Sequence, residues 1–251
     1  MKILDYMVVR PRMKLYKPTK YIVIDKHFAT YAKQRYAANE GDLISIPIGV
    51  DTKSFVPDTT TAFSERRTIA SIGHVIPIRN RVTLVRAFKR YLEVFPNTTL
   101  VIVGNVYEKS LYQEIFAQNL SDHTLLTGAL PRIQIIEILK SAIMEIHDVQ
   151  EHEGRGLGIA SLEAMLMGVP IISSTPVDYF PNAVLTPDHD LLIVQGDNES
   201  DLLEQMIKLT RNEALWHELS KNGRKWVLDH FSLDRVVVEH QELYASLVST
   251  K

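Results

Sequence analysis

The feature that most constrains this 251-residue chain is an alternation: short β-branched runs, each followed by a longer stretch with helical spacing of its apolar residues. That rhythm marks repeated βα units, and it predicts an α/β fold with a doubly wound parallel sheet. RRTIASIG (66–73) precedes a helical stretch from Asn80 to Phe95, whose Val82, Val85, Ala87, Leu92 and Phe95 form one stripe stopped by Pro96-Asn97. TTLVIVG (98–104) is apolar without alternation, as a strand buried on both faces must be. HTLLTG (123–128) leads to a helix near 131–140, and IMEIH (143–147) to a loop and a helix near 158–167. VPIIS (169–173) follows Gly168 at once, and LLIVQ (191–195) reads as the last strand. Residues 198–251 read as helical, divided at Asn222-Gly223 and at Phe231-Ser232, with Ser232 capping a final helix. Ahead of the sheet, YIVIDKH and FATYAKQRYAA form one more βα unit, and DLISIPIGVD a further strand.

Composition narrows the chemistry. With 28 Lys+Arg against 30 Asp+Glu and 45% apolar residues the chain is of ordinary globular type. It has no cysteine, which excludes thiol nucleophiles, redox pairs and cysteine metal sites. No apolar run approaches bilayer length, so a cytoplasmic protein is expected. Residues 1–20 carry Lys2, Arg10, Arg12, Lys14, Lys17 and Lys20 against Asp5 alone, and such an arm suits either solvent or peripheral contact with an anionic membrane. Nothing comparable lies near the core, so nucleic acid is not an expected partner. Asp188-His189-Asp190 has no second cluster to complete a metal site, and neither metal nor cofactor is expected.

The segment richest in chemistry is EHEGRGLGIASLEAMLMGVP (151–170). Gly154, Gly156 and Gly158 lie between a strand and a helix start, where backbone amides approach an anion unobstructed by Cβ atoms and the helix end adds partial positive charge. Phosphate is the natural ligand. Glu163 shares a helix face with Ile159, and a carboxylate there can accept hydrogen bonds from a ribose diol while phosphate occupies the helix end. Taken alone, the glycines are better explained by a solvated loop; glycines, helix start, Glu163 and Gly168-Val169-Pro170 together favour a site.

RGLGIASLEAMLMGVPII (155–172) resembles the E-G-F-G-(L/I)-x-x-L-E-A-M-x-x-G-x-P-V-I segment of the retaining glycosyltransferases of family 4, which have the two-domain GT-B fold and use nucleotide-sugar donors. The resemblance implies a Rossmann-like GT-B C-terminal domain in which Glu163 is the second glutamate of an E-x7-E pair and binds the donor ribose. It places the backbone of Gly156, Leu157, Gly158, Ile159 and Ala160 against diphosphate and sugar. Arg155 stands where the first glutamate belongs, and a cation cannot accept sugar hydroxyls. Either Glu153 substitutes as the reacting-centre carboxylate, or Arg155 contacts the donor, or the enzyme is impaired. The family's G-R-L-x-x-x-K-G run corresponds to Gly73-His74-Val75-Ile76-Pro77-Ile78-Arg79-Asn80, with Arg79 in the place of the diphosphate-neutralising Lys and His74 in that of the Arg. IPIGVDTKSFVP (46–57) and HFSLDRVVVEHQELY (230–244) extend the resemblance from about Tyr21 to the C-terminus.

The implied organisation is a remnant of an acceptor-side domain over 1–50, a nucleotide-sugar-binding domain over 51–225, and a C-terminal helix over 226–251 packing back toward the N-terminal portion. The expected activity is hexosyl transfer from a nucleotide-sugar with retention. The acceptor side would come from a separate acceptor-domain subunit, a homodimer or a membrane surface. A non-catalytic donor-binding or partner subunit is the alternative, and a GT-B-like sugar-nucleotide epimerase is the weaker third.

Overall fold

The structure is a computed structural model that describes residues 18–149 and 156–249. Glu153, Arg155 and all but three residues of the basic N-terminal stretch lie outside the described residues. Six parallel strands form the main sheet: β3 (Thr68–Ile72), β4 (Thr99–Val103), β5 (Thr124–Gly128), β6 (Ala142–His147), β7 (Ile171–Ser173) and β8 (Leu192–Ile193). Their order across the sheet is β5-β4-β3-β6-β7-β8. The direction of winding therefore reverses between β3 and β6, and in such sheets the crevice beyond the carboxyl ends of those two strands is where ligands bind.

Helices α2 (Arg81–Leu92), α3 (Ser110–Ala117), α4 (Arg132–Lys140), α5 (Ile159–Leu166), α6 (Glu199–Arg211) and α7 (Glu213–Phe231) cover the two faces. The central strands are apolar without alternation because each face meets its own core. Ala70, Ile72, Val101 and Val103 pack with Leu162, Met165 and Trp226, whereas Ile69, Leu100, Ile102 and Ile146 pack with Leu84, Phe88, Met206 and Trp216. Trp216 also donates from Nε1 to the Ile143 carbonyl at 2.6 Å, so its polar atom is satisfied despite burial.

The C-terminal helical region divides at Phe231-Ser232, as read from the sequence, but not at the other expected point. Asn222-Gly223 does not interrupt it, for α7 runs through both residues without a break. The other division falls at Asn212, whose Oδ1 accepts from the Leu215 amide at 3.0 Å and caps α7. Gly223 is there for space. A Cβ on it would stand 2.8 Å from the Asp190 carbonyl oxygen and 3.0 Å from Met165 Cε. Alanine at 223 gains about 1 kcal/mol of helix propensity but forces backbone and core apart, and we expect Gly223→Ala to be destabilising by about 1–2 kcal/mol net. A denaturant titration checks this, and a stabilised variant would show that the contact yields.

Ahead of the sheet, β1 (Tyr21–Val23), α1 (Lys26–Tyr36) and β2 (Leu43–Ser45) form a separate two-stranded parallel unit over a small core of Val23, Ala32 and Ala38. The strand expected over 42–51 stops at Ser45, and Pro47, which has no amide hydrogen to offer a ladder, follows close behind. The final helix, α8 (Leu233–Ser249), starts after Ser232 and not at 226, which lies inside α7. Its start is tied to the N-terminal portion: Val50 donates to the Phe231 carbonyl at 2.8 Å and Leu233 donates to the Val50 carbonyl at 3.1 Å. Among the described residues no helix is long and apolar enough to cross a membrane.

Candidate functional site

The crevice beyond β3 and β6 gathers most of the describable sequence candidates. β3 ends at Gly73, whose φ of +132° is open to glycine and strained for other residues. A short turn over Pro77–Arg79 then returns the chain to α2. That turn aims the Arg79 side chain back: a Cβ built on Gly73 would lie 2.7 Å from Arg79 Nη1 and 2.9 Å from its Cζ. On the other side, the position of a Cβ on Gly158 lies 4.0 Å from Arg79 Nη2. The guanidinium therefore bridges the end of β3 and the start of α5, for which Gly158 is the N-cap residue. The first amides of α5 have no acceptor within the helix, so they and Arg79 offer an anion one donor set.

The two describable glycines of the loop have different causes. A Cβ on Gly156 would fall 2.0 Å from the Tyr179 ring, so this glycine answers a packing demand. Gly158 has φ −75° and only ordinary contacts within 4 Å, so neither its backbone angle nor close packing demands a glycine there. Leu157 is buried in the core, Ile159 is exposed and Ala160 half-buried, so the backbone of 156–160 is what the segment can turn to a ligand. His74 is exposed and meets the Tyr107 ring edge-on at 5.5 Å.

Beneath this corner lies a group of buried polar residues that sequence reasoning missed. His147, 2% exposed, pairs through Nε2 with the Gly156 carbonyl at 3.1 Å and so fixes the loop. Burial, with Arg79 and Arg81 nearby, pushes its pKa down to about 3, so the ring is neutral at pH 7 and Nε2 is the donor. Arg81 is 1% exposed; it donates from Nη1 to the Ile146 carbonyl at 3.3 Å, while Nε and Nη2 have no hydrogen-bond partner. Burial lowers its pKa to about 10, which leaves it cationic. Glu145, wholly buried on β6, accepts weakly from the Ile72 amide at 3.4 Å, and burial pushes its carboxyl up. Arg79 and Arg81 bring two guanidinium groups to the corner, with Glu145 and Asp148 as the carboxyl groups that act on Arg81. A Glu and a His in the otherwise apolar run IMEIH were the available signal.

Glu163 sits one and a half turns into α5 with its side chain 10% exposed, and its Oε1 is 3.2 Å from Arg132 Nη2 on α4. Burial raises its pKa and Arg132 opposes that rise. In Asp188-His189-Asp190, His189 Nδ1 meets Asp190 Oδ1 at 2.8 Å and Asp188 Oδ1 accepts from Lys208 Nζ at 2.6 Å. Among the described residues no group of three His, Asp or Glu is placed to hold a metal ion.

With this geometry in hand, comparison with known proteins is decisive at one level: residues 54–226 match the family described as glycosyl transferases group 1. The chain belongs to that family. Among curated relatives of this group 1 chain, it is 28% identical over 239 residues to a GDP-mannose-dependent monoacylated α-(1-6)-phosphatidylinositol monomannoside mannosyltransferase of Corynebacterium glutamicum, covering 88% of the chain and 61% of the relative. A GDP-mannose-dependent mannosyltransferase of Mycobacterium tuberculosis is 26% identical, with 84% and 58% covered. The chain thus spans about three fifths of the length of these relatives. In fold it is similar to HepE of Anabaena, solved with UDP and glucose, at TM-score 0.78 and 15% identity over 99% of this chain and 68% of that one. It also matches the whole of a C-terminal domain of LpcC from Francisella tularensis, at TM-score 0.63 and 18% identity over 74% of this chain.

Proposed function

We propose that this chain is the donor-binding half of a nucleotide-sugar-dependent glycosyltransferase and that the diphosphate lies between Arg79 and the start of α5. The observation that carries the reading is the guanidinium held between Gly73 and Gly158. In transfer, the bond from the anomeric carbon to the diphosphate oxygen breaks, a bond from that carbon to an acceptor hydroxyl oxygen forms, and negative charge collects on the departing nucleoside diphosphate, which takes up the hydroxyl proton. Arg79 and the α5 amides are fixed where that charge develops, so they stabilise the transition state more than the ground state and no metal ion is needed. Glu163 accepts the ribose hydroxyls. The mannosyltransferases and the UDP complex among the relatives support a nucleoside diphosphate-sugar as the donor. The resemblance of 155–172 to the family segment supports a hexosyl group and retention.

Isothermal titration with UDP-, GDP- and ADP-sugars tests the reading. Binding of at least one is expected, and Glu163→Ala should weaken it by about 10–100-fold, the worth of hydrogen bonds to a charged acceptor. Failure of every donor to bind, or an unchanged Glu163→Ala variant, overturns it. Arg155 in the place of the first motif glutamate favours a second, binding-only reading. Donor binding without hydrolysis or transfer, and without rescue by Arg155→Glu, would select it.

A further inference from the structure

Arg132 is not held by Glu163 alone. Its Nη1 lies 3.8 Å from Asp51 Oδ2, and its Cζ sits over the Phe55 ring at 5.3 Å from the centroid. Both supports are rigid. Phe55 is fully buried, and Asp51 accepts from the Lys53 and Ser54 amides at 3.0 and 3.3 Å and from the Ser54 hydroxyl. An arginine that is half exposed ordinarily loses as much side-chain freedom as it gains in pairing. Here the aromatic face and the anchored Asp51 have already restricted it. Its free edge is thereby directed at Glu163, a carboxylate with little water around it.

We propose that Arg132 is a positioning residue of the donor site: braced on Phe55 and Asp51, it holds the Glu163 carboxylate as a fixed acceptor for a vicinal diol and so selects ribonucleotides over 2′-deoxyribonucleotides. The inference rests on the donor-binding reading above. Without the guanidinium, a carboxyl this buried takes up a proton more readily, and a protonated carboxyl offers one donor where a diol requires two acceptors. Arg132 and Asp51 are the charged groups that act on Glu163; Arg132 favours its ionised form and Asp51 disfavours it.

The test is calorimetric titration of the full chain with UDP, GDP and ADP and with their 2′-deoxy counterparts, from pH 8 to pH 6. Wild type is expected to prefer the ribonucleotide by about tenfold or more, the worth of a hydrogen bond to a charged group, with little dependence on pH. Arg132→Ala is expected to reduce the preference to within about threefold and to bind progressively more weakly as pH falls. Arg132→Lys keeps the charge without the planar fork, so it should restore the flat pH profile and only part of the preference. Asp51→Asn, which removes one brace while leaving Arg132 in place, should lower the preference by less than Arg132→Ala does. An Arg132→Ala variant with wild-type preference and pH profile, or Arg132→Lys and Asp51→Asn variants that both keep the full preference, overturns the role of Arg132 while leaving the donor site standing. Should Arg132→Ala fail to fold, the lysine and Asp51 variants decide by the same readouts. A wild-type chain that binds none of the nucleotides removes the donor reading and this inference with it.

Discussion

Replacing Arg79 by alanine is expected to lower the rate of donor cleavage by about 10²–10³-fold, the usual cost of removing one preorganised donor from a developing anion. The effect should fall mainly on the chemical step, because the departing diphosphate carries more charge in the transition state than in the bound sugar ester. Donor affinity should fall less. Arg79→Lys is expected to recover part of the rate, since an ammonium supplies charge but cannot span the gap between the Gly73 and Gly158 sides as the guanidinium fork does. Folding should be nearly unaffected, because Arg79 is only half-buried. Single-turnover measurements with enzyme in excess over donor separate binding from cleavage. A variant within threefold of wild type in the cleavage step would show that the diphosphate lies elsewhere.

How far the site was legible depends on whether its parts interact locally. Gly73 and Arg79 are six residues apart, and the turn between them sufficed to place one on the other; Gly158 and Glu163 share a helix, so their spacing already determined their geometry. The continuous apolar run of β4 marked a strand buried on both faces, for such burial leaves no alternation. What escaped the sequence reading is non-local. Arg132 and Glu163 meet only because α4 and α5 flank one face of the sheet, and nothing near Arg132 announces a partner 31 residues away. Glycine misled in another way. The residue that breaks a helix in one place allows close packing in another, and Gly223 under Asp190 and Gly156 against Tyr179 are of the second kind. The charged groups on β6 were visible as letters, yet their burial follows from β6 occupying a central place in the sheet, which is a property of strand order.

The largest loss of stability is expected at a glycine outside the binding segment. Gly104 ends β4 with φ +130°, and a Cβ there would lie 2.4 Å from the Gly73 carbonyl oxygen, 2.6 Å from its carbon and 2.9 Å from the His74 nitrogen. All three are backbone atoms, so no rotamer change relieves the clash. Nor can the strands simply part: Gly73 donates to the Val103 carbonyl at 2.8 Å, Gly104 to the Gly128 carbonyl at 2.8 Å and Val75 to the Asn105 carbonyl at 2.9 Å. Gly104→Ala must therefore strain its own backbone and displace its neighbour's, which together cost about 3 kcal/mol or more and lower the melting temperature by about 6–12 °C for a chain of this length. Gly128→Ala is the control, for its φ of +69° carries backbone strain but a Cβ there meets nothing within 4 Å; about 1–2 kcal/mol is expected. Because the displaced backbone is the one on which Arg79 rests, the Gly104 variant should also bind donor more weakly at temperatures where it remains folded, and the Gly128 variant should not. Melting temperatures of the two variants within about 2 °C of each other would mean that the ends of β3 and β4 move apart freely, and the corner that holds the guanidinium would then lack the rigidity assigned to it.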